Sequence, residues 1–196
     1  DMDNLPRTLA DVPVPYIPGV DTSTKEGQEF AKRVLMLRTI VNSDENDGNK
    51  EIIWGVFMQG DNGNRQWINF APWPKRILQY NGNQWIDGWC AISPTLYSAE
   101  HFYTKNGKLP EKDSEFALEW FTSAKLSDRQ EVIKLNVNRE PRFYANLSFD
   151  GDDYSPIMCN GSPLRINLRD ANQQGYNHDL FYRDYTVTGY ICKKYT

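Results

Sequence analysis

The chain has 196 residues, 39% of them apolar, with 22 Lys and Arg against 26 Asp and Glu, for a formal net charge of -4 and a pI near 5.3. That length is one domain or part of a larger one, and a mean hydropathy of -0.68 without low-complexity tracts excludes both a disordered chain and a transmembrane helix. No basic run stands ready to neutralise a row of phosphates, so nucleic acid is excluded as a partner.

Residues 1–20 carry Pro6, Pro13, Pro15 and Pro18, which predicts an extended arm lying along the surface. Ser23 and Glu26 have the spacing of a capping box, and Phe30, Val34, Leu37 and Val41 share one helical face, which predicts a helix over 24–41. Residues 51–59 (EIIWGVFMQ) read as a strand. From 60 to 92 glycines and prolines interrupt six aromatic residues, predicting a long irregular region of the kind that carries function. Ser93-Pro94 reads as an N-cap and first helical residue, followed by a short helix that stops at Asn106-Gly107. Segments 115–122 and 127–135 offer two more short helices, and residues 143–149 alternate strictly, as a half-buried strand would. Residues 152–187 read as irregular, and 189–195 (GYICKKY) as a closing strand.

The composition is unusual in its aromatics, 13% of the chain, with 6 Trp, 11 Tyr and 9 Phe, many of them beside Asn, Gln or Gly. A pyranose ring offers an apolar C–H face to a flat aromatic ring and hydroxyls to amides and guanidinium groups. Trp67, Trp73, Trp85 and Trp89, with Asn64, Arg65 and Asn83, are therefore the expected glycan contacts, and Trp67 and Trp85 the best platforms. For any single Trp the competing assignment is packing against a core, which fits Trp54 in its apolar strand better.

Catalytic patterns are absent. Asp61, Asp87, Glu100 and Asp150 are carboxylates a glycosidase could use, but no spacing pairs them. His101 and His178 lie in no zinc or triad signature, and Cys90, Cys159 and Cys192 have no metal-ligand spacing. Residues 44–48 (DENDG) and 150–153 (DGDD) miss the calcium-loop register and read as solvated turns, so no cofactor or metal is expected.

Three segments together resemble one family. Pro94, Thr95, Phe102, Asn106, Gly107, Pro110 and Asp113 match the P-T…F…N-G…P…D stretch of SusD/RagB-like outer-membrane lipoproteins, and residues 138–144 (NREPRFY) resemble their N-R-D-P-R-F-Y motif, with Glu140 in place of Asp. Thr188-Gly189-Tyr190 and Lys193-Lys194-Tyr195 resemble the strand that follows, and Glu51-Ile52-Ile53-Trp54 is a looser fourth match. The resemblance covers residues 50–196. It implies a mostly α-helical SusD-like fold with long loops and a few short strands, present here as an internal or truncated part whose tetratricopeptide-like helices fall largely outside it. It also implies a non-catalytic glycan-binding subunit, lipid-anchored at the outer membrane of Bacteroidetes, that serves a SusC-like TonB-dependent transporter. The alternatives are a glycoside hydrolase fragment with an aromatic cleft and a peptide-uptake subunit of the same architecture. For the NREPRFY motif the residues favour a structural role, with Pro141 fixing a turn and the arginines holding carboxylates or loop carbonyls.

Overall fold

The computed structural model describes residues 12–42, 71–80, 84–116, 119–124, 132–159, 162–176 and 184–193. Among these residues three α-helices and eight short strands form; short strands and long connections are present as the resemblance implies, while a predominance of helix is not seen among the described residues. The strands pair as four separate two-stranded antiparallel ribbons. The strand expected at 51–59 lies outside the described residues.

Helix α1 (Lys25–Asn42) is capped by Thr24 rather than Ser23. Thr24 Oγ1 accepts from the Gly27 amide at 3.1 Å, while Ser23 turns back to Asp21 Oδ1. Its inner face buries Ala31 and Val34 and packs on α3 (Pro141–Asn146), with Phe30 edge-to-face on Tyr144 at 6.0 Å. Residues 1–11 of the proline-rich arm lie outside the described residues; in the rest Pro13 and Val14 are exposed, but Pro15, Ile17 and Pro18 are buried, and Gly19 (φ 80) passes so close to Val137 that a Cβ would clash.

The alternation over 143–149 does not make one strand. Pro141 sits at the first helical position, Glu140 is extended before it (φ -65, ψ 157), and α3 buries Phe143, Tyr144 and Ala145 in succession. Only β5 (Leu147–Phe149) is extended, paired with β8 (Tyr190–Cys192) in the register Leu147↔Cys192, Phe149↔Tyr190. This ribbon separates two cores. Leu147, Phe149 and Tyr190 join the larger cluster with Ile17, Val34 and Phe143, and Ile191 joins Cys90, Tyr154, Leu164 and Ile166 in the smaller.

Other expectations change in the same direction. Within 60–92 the described residues hold a hairpin, β1 (Leu78–Tyr80) with β2 (Gln84–Ile86). Helix α2 (Leu96–Glu100) is capped by Thr95, whose Oγ1 accepts from the Ser98 amide at 3.2 Å, not by Ser93, and it ends at His101 rather than Asn106. The described residues of 115–122 form turns rather than a helix, and residues 127–131 of the helix expected at 127–135 lie outside the described residues; β4 (Val132–Ile133) pairs with β3 (Ser123–Ala124), and Leu135 and Lys134 donate their amides to Trp120 O and Thr122 O. Segment 152–187 contains the hairpin β6 (Asp153–Cys159) and β7 (Ser162–Arg165). Pro156 and Pro163 masked its pattern, and register shifts on either side of Ser155 accommodate them. The DGDD run is not a solvated turn: Gly151, Asp152 and Asp153 are buried.

The P-T…N-G…P…D stretch acquires a physical role here. Buried Asp113 accepts from Thr104 Oγ1 at 2.6 Å, Asn106 Nδ2 at 3.0 Å and the Glu115 amide at 3.1 Å, closing a turn that Gly107 (φ 70) makes possible. These bonds, that of Thr104 foremost, hold the Asp113 carboxyl below its usual range. A lowered native pKa gives stability that is complete above the unfolded value near 3.8 and is lost as pH falls through the native one. Asp113→Asn is therefore expected to flatten the acid limb of urea-midpoint against pH between about pH 2 and 5; an unchanged limb would discard Asp113 as its source.

Candidate functional site

The tryptophan-bearing region is a ribbon. Buried Pro72 and Pro74 bracket half-buried Trp73, and its carbonyl accepts from Cys90 N at 2.8 Å, while Gly88 N reaches Pro74 O at 2.9 Å and Ala91 N reaches Ala71 O at 2.7 Å. Gly88 permits this approach, since a Cβ there would stand 2.2 Å from Trp73 O. Trp73 and Trp89 thus lie on neighbouring stretches, both half-buried, and the ribbon continues into β1 and β2, where Trp85 stands opposite Gln79 in the register. Trp67, Asn64, Arg65 and Asn83 lie outside the described residues.

The base of the ribbon is locked to a distant turn. Lys75, 6% exposed, donates from Nζ to Gly175 O at 3.0 Å; Gln174 Nε2 returns a bond to Lys75 O at 3.0 Å, and Arg76 Nε reaches Asn172 O at 3.1 Å. Arg76 holds a left-handed backbone (φ 62) with its amide on Asp87 Oδ1 at 2.6 Å. Burial lowers the pKa of Lys75, against the pull of Asp184 and Asp87, and raises the Cys90 thiol to about 12, which leaves that sulfur neutral and unreactive.

Of the four candidate carboxylates, Asp87 and Asp150 are engaged in structural contacts, and Asp61 lies outside the described residues. Asp87 holds the Arg76 amide, and Asp150 accepts from the Leu168 amide at 2.8 Å and from Arg169 Nε at 2.7 Å. His101 stacks on Tyr97 at 3.8 Å and closes α2. Among the described residues no group of three His, Cys, Asp or Glu side chains could hold a metal ion, and no helix is long and apolar enough to cross a membrane.

Two clefts flank Leu168 and Gly189. One, of about 320 Å³, runs past Leu96, Phe121 and Ile133 to the Asp150–Arg169 pair; the other, of about 420 Å³, opens over Tyr176 and Tyr185. The sequence reading missed these tyrosines, although Tyr176 follows Gln173-Gln174-Gly175, the same amide-and-glycine setting that singled out Trp85.

Residues 50–196 match the family model described as the SusD family. The fold superposes on the selenomethionine form of BT4246 with a TM-score of 0.85 at 43% identity, covering 100% of this chain and 33% of that one. A second structure of BT4246 gives 0.85 at 45% identity, covering 98% and 31%. The chain thus spans about a third of the length of these neighbours. Comparison with curated proteins gives no match.

Proposed function

The chain belongs to the SusD family, and from that premise we propose that it is the part of a non-catalytic, surface-exposed nutrient-binding protein that captures a glycan. The protein is held at the outer membrane by a lipid anchor and passes its ligand to a SusC-like TonB-dependent transporter. The observation that carries this reading is the match of three quarters of the chain to one family of binding proteins, at a fold similarity of 0.85. The engagement of Asp87 and Asp150 in backbone and arginine contacts favours binding over hydrolysis, since a glycosidase needs two carboxylates facing a substrate.

Ligand contact is assigned to Trp73 and Trp89 on this ribbon and to Trp67, Trp85, Asn64, Arg65 and Asn83. Affinity electrophoresis of the full-length protein on a polysaccharide and peptide panel, with release of reducing ends followed in parallel, tests both statements. Retardation by a glycan without cleavage is expected, and Trp67→Ala and Trp85→Ala are each expected to weaken it about tenfold, or about 1.4 kcal/mol. Cleavage would replace the binding role with a hydrolase, retention by peptides alone would change the ligand class, and unchanged retention in both variants would remove tryptophan from the site.

A further inference from the structure

Asn106-Gly107 is one of four Asn-Gly pairs in the sequence, with Asn62-Gly63, Asn81-Gly82 and Asn160-Gly161, and it alone lies among the described residues. Both of its residues are exposed, and Gly107 holds a left-handed backbone (φ 70) with open space where a Cβ would stand. An asparagine followed by glycine is chemically labile, because without a Cβ the next backbone nitrogen can approach the side-chain carbonyl carbon.

The fold occupies both ends of that reaction. Asn106 Nδ2, the nitrogen that would leave, donates to Asp113 Oδ2 at 3.0 Å and to Glu115 Oε2 at 2.9 Å, which uses both of its hydrogens. The Gly107 amide, the nitrogen that would attack, donates to Thr104 O at 3.0 Å. Thr104 Oγ1 accepts from the Asn106 amide at 3.2 Å and is itself anchored on Asp113 Oδ2 at 2.6 Å, so one buried carboxylate holds the whole turn. Both acceptors are ionised at neutral pH: Thr104 foremost holds the Asp113 carboxyl low, Lys105 foremost that of Glu115, and Asn106 contributes to each.

Once the turn opens, the Gly107 nitrogen gives up its proton and bonds to Asn106 Cγ, the Cγ–Nδ2 bond breaks and ammonia leaves with that proton. Water then opens the resulting succinimide to aspartate or isoaspartate, with no change of oxidation state. The product cannot reclose the turn, because a carboxylate is an acceptor only and would stand against Asp113 and Glu115, its former partners. The loss also reaches the NREPRFY motif, since Thr104 forms a β-bridge with Arg139 and the Lys105 amide donates to Asn138 O at 2.7 Å.

We propose that Asn106 is a site of spontaneous covalent modification to aspartate and isoaspartate, latched by Asp113 and Glu115 and released when the 104–113 turn opens. The full-length protein is incubated in mildly alkaline buffer, folded or in guanidinium chloride, and conversion at Asn106 is followed by mass spectrometry of chymotryptic peptides and by enzymatic methylation of isoaspartate. Folded wild type is expected to convert at least about tenfold more slowly than the unfolded chain, the ratio reporting the opening of the turn. Asp113→Ala is expected to bring the folded rate to within about threefold of the unfolded one. Glu115→Ala, at an exposed residue, is expected to give an intermediate rate at a near-wild-type melting temperature, and it decides alone should Asp113→Ala fail to fold. Asn106→Asp, the product made genetically, is expected to melt below the wild type.

Equal rates for folded and unfolded wild type would overturn the latch. Folded Asp113→Ala and Glu115→Ala converting no faster than folded wild type, while the unfolded chain converts, would remove both carboxylates from it. An unfolded chain that keeps Asn106 intact would overturn the site itself, and a wild-type melting temperature for Asn106→Asp would show that the turn recloses over the product.

Discussion

Arg139→Ala is expected to lower stability by about 4 kcal/mol, at the upper end of single substitutions. Arg139 is fully buried, and no carboxylate contacts its guanidinium. Instead the group donates to Leu135 O, Ala99 O and Phe102 O, each at 2.6 Å, and to Tyr103 O at 3.3 Å, and it stacks on Phe143 at 4.5 Å. Ala99 O and Phe102 O lie at the C-terminal end of α2, where carbonyls lack helical partners and carry the negative end of the local dipole. Burial lowers the guanidinium pKa to about 10, so the cation persists at neutral pH. Removing it strands several buried carbonyls at once, each costing on the order of 1–3 kcal/mol if water does not reach it. Arg139→Lys keeps the charge but loses the planar fork, and is expected to cost about half as much. Urea denaturation of the three proteins checks this; a loss below about 1 kcal/mol for Arg139→Ala would mean the cage is solvated on truncation.

That cage also explains how far the sequence could be read. The NREPRFY motif was legible as a family mark and as structural rather than catalytic, but its partners were not. Three of the carbonyls Arg139 binds, those of Ala99, Phe102 and Tyr103, lie at or just past the end of α2, 36–40 residues earlier, and no local pattern announces an arginine that pairs with backbone alone. Helix α1 was readable because four apolar residues recur at helical spacing over 18 residues. Helix α3 was not, since its three consecutive buried residues, Phe143, Tyr144 and Ala145, show no helical periodicity and the alternation over 143–149 mimics a strand. The β6–β7 hairpin hid behind its prolines. For the site, sequence reasoning chose tryptophans on residue type; the structure places Trp73 and Trp89 on one ribbon, and the bonds of Lys75 and Arg76 to Asn172, Gln174 and Gly175 link that ribbon to the turn before Tyr176.

The DGDD run is the clearest case of a charge pattern reversed by a distant partner, and it supports the second large prediction. Asp152, 1% exposed, bonds Lys193 Nζ at 2.6 Å and accepts from Ser148 Oγ at 2.6 Å; Lys193, 4% exposed, also reaches Asp153 O at 3.1 Å. Nearby, Arg38 donates to Tyr154 O and lies in the field of Asp152. Burial raises the Asp152 carboxyl and lowers the Lys193 ammonium, so each charge is tolerated only through the other. Lys193 extends from the end of β8 and Asp152 precedes β6, so the pair ties the β5–β8 ribbon to the β6–β7 hairpin, which Arg38 joins to α1 through Tyr154 O. Breaking one side leaves an uncompensated buried charge: Lys193→Met and Asp152→Asn are each expected to cost about 3–5 kcal/mol. The double variant Asp152→Asn/Lys193→Met removes both charges and is expected to cost no more than the worse single one, a coupling of at least about 3 kcal/mol in a double-mutant cycle read by urea denaturation. Additive losses would show that the two charges are stabilised separately, with Arg38 and not Lys193 as the counterion that makes Asp152 tolerable in the core.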